Sequence, residues 1–79
     1  MRRSEEYQTF LQVLIDQRIG AGLTQADVAE KLRKPQSFVS KYERGERRLD
    51  FVEALQVSQA LGLDPRQLFA RFQKKDSKK

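Results

Sequence analysis

Cysteine and histidine are both absent from this 79-residue chain. Without cysteine there are no disulfides and no thiolate nucleophiles, and without either residue most zinc sites and the commonest acid–base catalyst are excluded. The longest apolar run, Val13 to Ile15, is far shorter than the roughly 20 residues that cross a bilayer. We therefore expect no enzyme activity, no metal, no cofactor and no membrane span, and nothing indicates a small-molecule effector.

Glycine and proline are also scarce, with four and two residues, which leaves long stretches free to form helices. Hydrophobic residues make up 38% and charged residues 34% of the chain, a balance typical of a globular protein. A chain this short supports one modest core. We predict an all-α fold in a single domain over residues 1–73, followed by a basic flexible tail over residues 74–79. The Arg2-Arg3 start lacks the apolar segment of a signal peptide, so we expect a cytoplasmic protein.

Acidic residues are also fewer than basic residues. Sixteen lysines and arginines face eleven acidic residues, which gives a net charge of +5. The excess is concentrated in residues 31–48, whose acidic residues are Glu43 and Glu46 and whose basic residues are Lys31, Arg33, Lys34, Lys41, Arg44, Arg47 and Arg48. A basic patch of this kind favours polyanions such as nucleic acids.

Apolar periodicity and capping signals predict five helices in one compact bundle. The first covers about residues 5–19, the second 25–32 and the third 36–44. Thr24 and Asp27 are expected to cap the second helix, and Pro35 belongs at or near the start of the third. A capping box at residues 50–53 opens the fourth helix, which ends at Gly62, and Asp64-Pro65 starts the fifth.

The periodicity also predicts which side chains face the core. Tyr7 and Phe10 are expected to be core aromatics. The fourth helix is expected to bury Phe51, Ala54, Leu55, Ser58 and Leu61, with Val57 at the edge. On the fifth helix, we expect these side chains to face inward or to meet a partner: Leu68, Phe69 and Phe72.

The second and third helices are the most informative part of the chain, because they are short, joined by a tight turn and flanked by basic residues. Val28 and Leu32 in one helix, and Val39 and Tyr42 in the other, form apolar stripes that can share a core and leave the polar face of the third helix free. The motif residues are Leu23-Thr24-Gln25-Ala26, Gln36-Ser37, Val39-Ser40-Lys41-Tyr42-Glu43 with Gly45, and Leu61-Gly62-Leu63. In this pattern residues 7–73 resemble the phage-repressor, Cro-like (XRE-like) helix-turn-helix family.

The resemblance implies a lambda-repressor-like DNA-binding domain, with a helix-turn-helix at about residues 24–44. The third helix would lie in the major groove of an operator bound by a homodimer. The positions that resemble base readers are Pro35, Gln36, Ser37 and Lys41. Gln36 would pair with adenine and Lys41 with guanine, whereas Pro35 departs from the small hydroxyl residue that often stands at its position.

Other positions resemble the family's phosphate contacts and its structural ion pair. Gln25, at the start of the second helix, matches a residue that holds a backbone phosphate. Further phosphate candidates are Lys34, Arg44, Arg47 and Arg48. Arg18 and Glu43 match a charged pair that ties the first and third helices together. Phe38 has two interpretations, packing on the second helix or contact with the sugar–phosphate backbone.

These observations predict a sequence-specific regulator of transcription, a repressor or autoregulator that occupies a palindromic operator in double-stranded DNA. One alternative is an antitoxin-type module that binds a small protein partner, with DNA binding as a secondary activity. A second alternative is RNA binding, which the basic charge permits, although the aromatic platforms that read single strands are lacking.

Overall fold

A computed structural model of the protein describes residues 4–68 and residue 70. Within them the helices are α1 (Glu5–Gly20), α2 (Gln25–Leu32), α3 (Gln36–Glu43) and α4 (Phe51–Ala60). A further helical segment, α5, covers residues 65–68 and residue 70. The predicted all-α fold with five helices is confirmed, and the predicted boundaries agree to within a residue or two. The tail predicted for residues 74–79 lies outside the described residues.

The helix starts follow the predicted capping residues. Thr24 Oγ1 accepts a hydrogen bond of 3.0 Å from the Asp27 amide, and the Asp27 carboxylate accepts one of 2.8 Å from the Thr24 amide. Asp50 and Glu53 form the same reciprocal pair at the start of α4, with distances of 2.7 and 3.0 Å. Such caps satisfy amides that have no partner inside the helix, and each stabilises its helix by about 1 kcal/mol.

The turn between α2 and α3 depends on one residue in an uncommon conformation. Arg33 has φ 59° and ψ 45°, in the left-handed region. In this conformation the amides of Arg33 and Lys34 donate back to the carbonyls of Glu30 and Ala29 at 3.1 and 3.0 Å, which ends α2. Pro35 is extended and stands directly before α3 as its N-cap residue, as its fixed φ favours.

The core lies where α1, α3 and α4 meet around α2. The helix pairs that pack against each other here are α2 with α3, α2 with α4, and α1 with α3. Its fully buried apolar side chains are Leu14, Val28, Val39, Tyr42 and Val57. Ser58 is also buried, and its hydroxyl donates to the Ala54 carbonyl at 2.9 Å, so the polar group keeps a partner. Tyr7 and Phe10 pack against this core, as predicted.

The face of α4 that enters the core differs from the prediction. Phe51, expected in the core, is 69% exposed, and Val57, expected at the edge, is fully buried. Phe51 is the first residue of α4, whereas Val57 lies about two turns further along and belongs to the same buried cluster as Val28 and Val39. Periodicity predicts a stripe along a helix but does not determine how the helix is rotated or how far along it the core extends.

Phe51 instead lines an open apolar groove. The groove has a volume of about 120 Å³, and its walls come from α1, α4 and the start of α5. Its large apolar side chains are Phe10, Phe51, Leu55, Pro65 and Leu68. Leu68 is buried, as predicted, and Phe69 and Phe72 lie outside the described residues. Ile19, on the predicted stripe of α1, lies in the last turn of the helix and is 61% exposed.

The described residues include no helix whose length and apolar content suit a membrane span.

Candidate nucleic-acid interface

Helix α3 has one buried face and one exposed face. The buried side chains are Phe38, Val39 and Tyr42. The predicted base readers Gln36, Ser37 and Lys41 are all exposed. Because successive turns of an α-helix repeat every 3.6 residues, these three side chains lie along one outward face. The helix therefore presents a polar stripe that a groove of DNA can accept.

The amino end of α3 is exposed together with this stripe. Pro35 is exposed and makes no side-chain hydrogen bond to the first turn. The first turn also contains no acidic residue, so no carboxylate of α3 itself neutralises the positive end of the helix dipole. Such an end favours nearby negative charge, including phosphate.

Arg18, Glu43 and Gln25 form one hydrogen-bond network, which joins the ends of α1 and α3 to the start of α2. Arg18 donates from Nε to Glu43 Oε2 at 2.7 Å and from Nη2 to Oε1 at 3.1 Å. A third donor, Arg18 Nη1, reaches the Leu23 carbonyl at 3.0 Å. The hydrogen bonds to Glu43 raise the pKa of the Arg18 guanidinium despite its partial burial. This pair links the end of α1 to the end of α3 and so holds α3 in place.

Gln25 joins the same network, which the sequence did not indicate. Its amide nitrogen donates to Glu43 Oε1 at 2.8 Å. A primary amide has two hydrogens, so one remains for the phosphate contact predicted at this position. Glu43 therefore fixes the carboxyl end of α3 against Arg18 and also positions the side chain of Gln25 at the amino end of α2.

Two of the predicted phosphate-binding arginines already have carboxylate partners. Arg44 pairs with Glu46 at 3.0 Å, and Arg47 pairs with Glu53 at 2.7 Å. The bond from Arg44 lowers the pKa of Glu46, and the Asp50 amide, followed by Arg47, lowers the pKa of Glu53. The sequence did not predict the pair between Arg47 and Glu53, because one partner lies on a loop and the other on the following helix.

Two aromatic rings contact cations of this surface, Arg47 among them. The Phe38 ring has Lys34 Nζ and Arg47 Cζ each 5.1 Å from its centroid, and the Tyr7 ring has Arg48 Cζ at 4.2 Å. Phe38 itself is buried and meets Tyr42 edge to face, so packing is its role in this structure. The sequence showed the cations but not their aromatic partners, which come from distant parts of the chain.

The predicted phosphate-binding cations lie at both ends of α3 and in the loop that follows it. The turn contributes Lys34, the carboxyl end of α3 contributes Arg44, and the following loop contributes Arg47 and Arg48. All four side chains are exposed. The surface combines an outward polar helix with flanking cations, the arrangement expected for contacts to base edges and to phosphates respectively.

Comparison with known proteins agrees with this geometry. A family profile described as Helix-turn-helix matches residues 14–68. Among solved structures, an XRE-family like protein from Pseudomonas syringae pv. tomato str. DC3000 is 42% identical, with 87% of this chain and 84% of that chain covered and a TM-score of 0.84. No curated protein matches the chain.

Restriction-modification controller proteins share the fold. The wild-type controller protein C.Esp1396I is 24% identical, with coverage of 91% of this chain and 95% of that chain and a TM-score of 0.82. A tyrosine-to-phenylalanine mutant of the same controller is 25% identical, with 98% of each chain covered and a TM-score of 0.83. With the profile match and the 42% identity together, the chain belongs to the XRE-like helix-turn-helix family of DNA-binding transcriptional regulators.

Proposed function

We propose that this protein is a sequence-specific repressor or autoregulator that binds a palindromic operator as a homodimer, with α3 in the major groove. The observation that carries the proposal is the exposed stripe of Gln36, Ser37 and Lys41 on a helix whose opposite face is buried. A regulator of this kind acts by occupying its operator, and we propose that it does so in the cytoplasm.

The residues divide into two roles. Gln36 and Lys41 read bases, because a glutamine amide matches the edge of adenine and a lysine matches guanine O6 and N7. Ser37 adds a hydroxyl contact, and Pro35 brings the backbone close without a donor of its own. The phosphate contacts are Gln25, Lys34, Arg44, Arg47 and Arg48. They supply affinity that depends on salt but carries little sequence information.

The proposed dimer has an exposed apolar surface available to it. Phe51 is 69% and Val52 is 59% exposed, next to the groove lined by Phe10 and Leu55. Large apolar side chains grouped on a surface commonly mark protein interfaces. In a twofold dimer, the two α3 helices would meet half-sites about 34 Å apart, or a multiple of that distance.

Selection of bound sites from random duplex DNA tests the proposal. We expect a recovered sequence with two inverted half-sites. The matched control is the variant Gln36→Ala/Ser37→Ala/Lys41→Ala, which keeps the buried face of α3 and should recover no consensus. An RNA duplex of equal length should bind more weakly. Recovery of no preferred sequence by the wild-type chain would contradict the proposal.

The exposed patch at Phe51 and Val52 also favours the second candidate, an antitoxin-type module that holds a small protein. Light scattering on the purified protein separates the two. A dimer mass that falls to the monomer mass in Phe51→Ser/Val52→Ser supports the homodimer. A wild-type chain that stays monomeric at micromolar concentration, with a small protein co-purifying, favours the module.

A further inference from the structure

Tyr7 holds the loop between α3 and α4 at two neighbouring residues. Its hydroxyl accepts a hydrogen bond of 3.1 Å from the Leu49 amide. Its ring lies under the guanidinium of Arg48, with Cζ 4.2 Å from the ring centroid. A residue near the start of α1 therefore fixes both the backbone and a side chain of a loop more than forty residues away.

The platform under Arg48 is itself well anchored. Tyr7 lies in the first turn of α1, where its amide donates to the Ser4 hydroxyl at 3.0 Å. Its ring is partly buried against the core and lies 5.6 Å from the ring of Phe10. Burial on one side and a hydrogen bond at its hydroxyl leave the ring little freedom to move. A guanidinium resting on such a ring is held before any ligand arrives.

Arg48 differs from the arginines beside it in the way it is held. Arg44 and Arg47 pair with carboxylates, whereas within residues 4–68 no ion pair is formed by Arg48. The guanidinium carbon lies over the Tyr7 ring, and contact with the face of a ring leaves the N–H donors of a guanidinium for other partners. Its full charge and its donors are thus kept for an anion.

We propose that Tyr7 is a positioning residue of the DNA interface, which holds Arg48 by its face so that the in-plane donors meet a backbone phosphate. This inference rests on the proposed function, in which Arg48 is a phosphate contact. The hydroxyl of Tyr7 fixes the loop at Leu49, and the ring fixes the side chain of Arg48. Holding a long side chain in advance reduces the ordering cost of binding.

The test compares Tyr7→Leu, Tyr7→Phe, Arg48→Ala and the double variant Tyr7→Leu/Arg48→Ala. The dissociation constants for the selected operator and for a random duplex are measured at several salt concentrations, with thermal unfolding as the check on folding. We expect Tyr7→Leu to bind both duplexes about two- to fivefold more weakly. We expect Tyr7→Phe, which keeps the ring, to retain the salt dependence of the wild type.

The salt dependence separates positioning from general damage to the fold. Arg48→Ala should reduce the slope of log K against log salt by about 1, and Tyr7→Leu should reduce it in the same direction. In the double variant, Tyr7→Leu should add little to Arg48→Ala, because the residue it positions is gone. Full additivity, or an unchanged slope in Tyr7→Leu, would overturn the proposal.

A measurement on the free wild-type protein needs no variant and no DNA. The δ protons of Arg48 should be shifted upfield in its NMR spectrum by the Tyr7 ring, and absence of that shift would overturn the proposal.

Failure of the proposed function gives a different result, namely no preferred duplex for the wild type. If the wild type selects an operator and Arg48→Ala binds it unchanged, this inference falls and the proposed function stands. Arg66→Ala, which removes a 90% exposed cation from the start of α5, is the matched charge control.

Discussion

Arg18 and Glu43 join the end of α1 to the end of α3 through paired hydrogen bonds of 2.7 and 3.1 Å. Their side chains are only 15% and 7% exposed, so solvent screens the pair little. A buried charge that loses its partner is costly, whereas an intact pair contributes more to geometry than to net stability. The pair therefore holds the recognition helix of this family in a defined orientation.

Removal of the Glu43 carboxylate should destabilise the fold strongly. We expect Glu43→Ala to lower the free energy of unfolding by about 3 kcal/mol, because it leaves the partly buried guanidinium of Arg18 without its carboxylate partner. The double variant Arg18→Met/Glu43→Leu should recover much of that loss. Urea denaturation followed by circular dichroism measures both values. A loss below about 1 kcal/mol would show that the pair stabilises the fold no more than an exposed surface ion pair does.

Substitutions on α3 and on the following loop should act differently on DNA. Gln36→Ala and Lys41→Ala should each reduce the preference for the operator over a random duplex by about 1–3 kcal/mol. Arg47→Ala should weaken binding to both duplexes alike and flatten the salt dependence. Titrations by fluorescence anisotropy measure these effects, with Arg66→Ala as control. An unchanged preference in both α3 variants would remove these residues as base readers.

Neutralising Glu53 should strengthen DNA binding. Glu53→Gln keeps an acceptor for the Asp50 amide, which preserves the capping box, but removes the charge that pairs with Arg47 at 2.7 Å. Arg47 is then available to phosphate, and we expect all duplexes to bind about two- to fivefold more tightly. Equal or weaker binding would show that the pair positions Arg47 and does not compete with DNA.

Stability should fall in acid through the two capping carboxylates. Hydrogen bonds from the Thr24 amide lower the pKa of Asp27, and those from the Asp50 amide lower the pKa of Glu53. A folded-state pKa below the unfolded value gives stability that is present above the unfolded pKa. That stability is lost as the pH falls through the folded pKa, so the decline should begin below about pH 5. Urea denaturation from pH 7 to pH 2 should show a shallower decline for Asp27→Asn/Glu53→Gln.

Phe51 and Val57 should respond to truncation in opposite ways. Val57→Ala should lower the free energy of unfolding by about 2 kcal/mol, because it removes two methyl groups from the core. Phe51→Ala should change it by less than about 1 kcal/mol at protein concentrations that keep the chain monomeric. At high concentration the Phe51 variant should lose stability relative to the wild type, because the proposed dimer depends on that surface. Thermal unfolding across a concentration series checks both expectations.

Helix existence and helix starts followed from local signals in the chain. The capping pairs Thr24 with Asp27 and Asp50 with Glu53 lie three residues apart, and the helix beginnings they predict are those of the structure. The same holds for Pro35, whose fixed backbone angle excludes it from a helix interior. These features act over one turn of chain, so no knowledge of packing was needed.

Contacts between distant residues could not be predicted in the same way. The contact of the Arg48 guanidinium with the Tyr7 ring and the hydrogen bond from Gln25 to Glu43 depend on how the helices pack against one another. The left-handed conformation of Arg33 also had no signal, because a non-glycine residue there is uncommon. The prediction for Phe51 was wrong because the same periodic stripe fits several rotations of a short helix.

By itself, the sequence determined the all-α class, the order of the helices and the outward polar face of α3, because capping and periodicity act within one or two turns. Only the tertiary structure decided that Val57 and not Phe51 enters the core, and which partners hold Arg44, Arg47 and Arg48. Those outcomes depend on the rotation and separation of packed helices, where many weak contacts are satisfied together and no local pattern specifies the result.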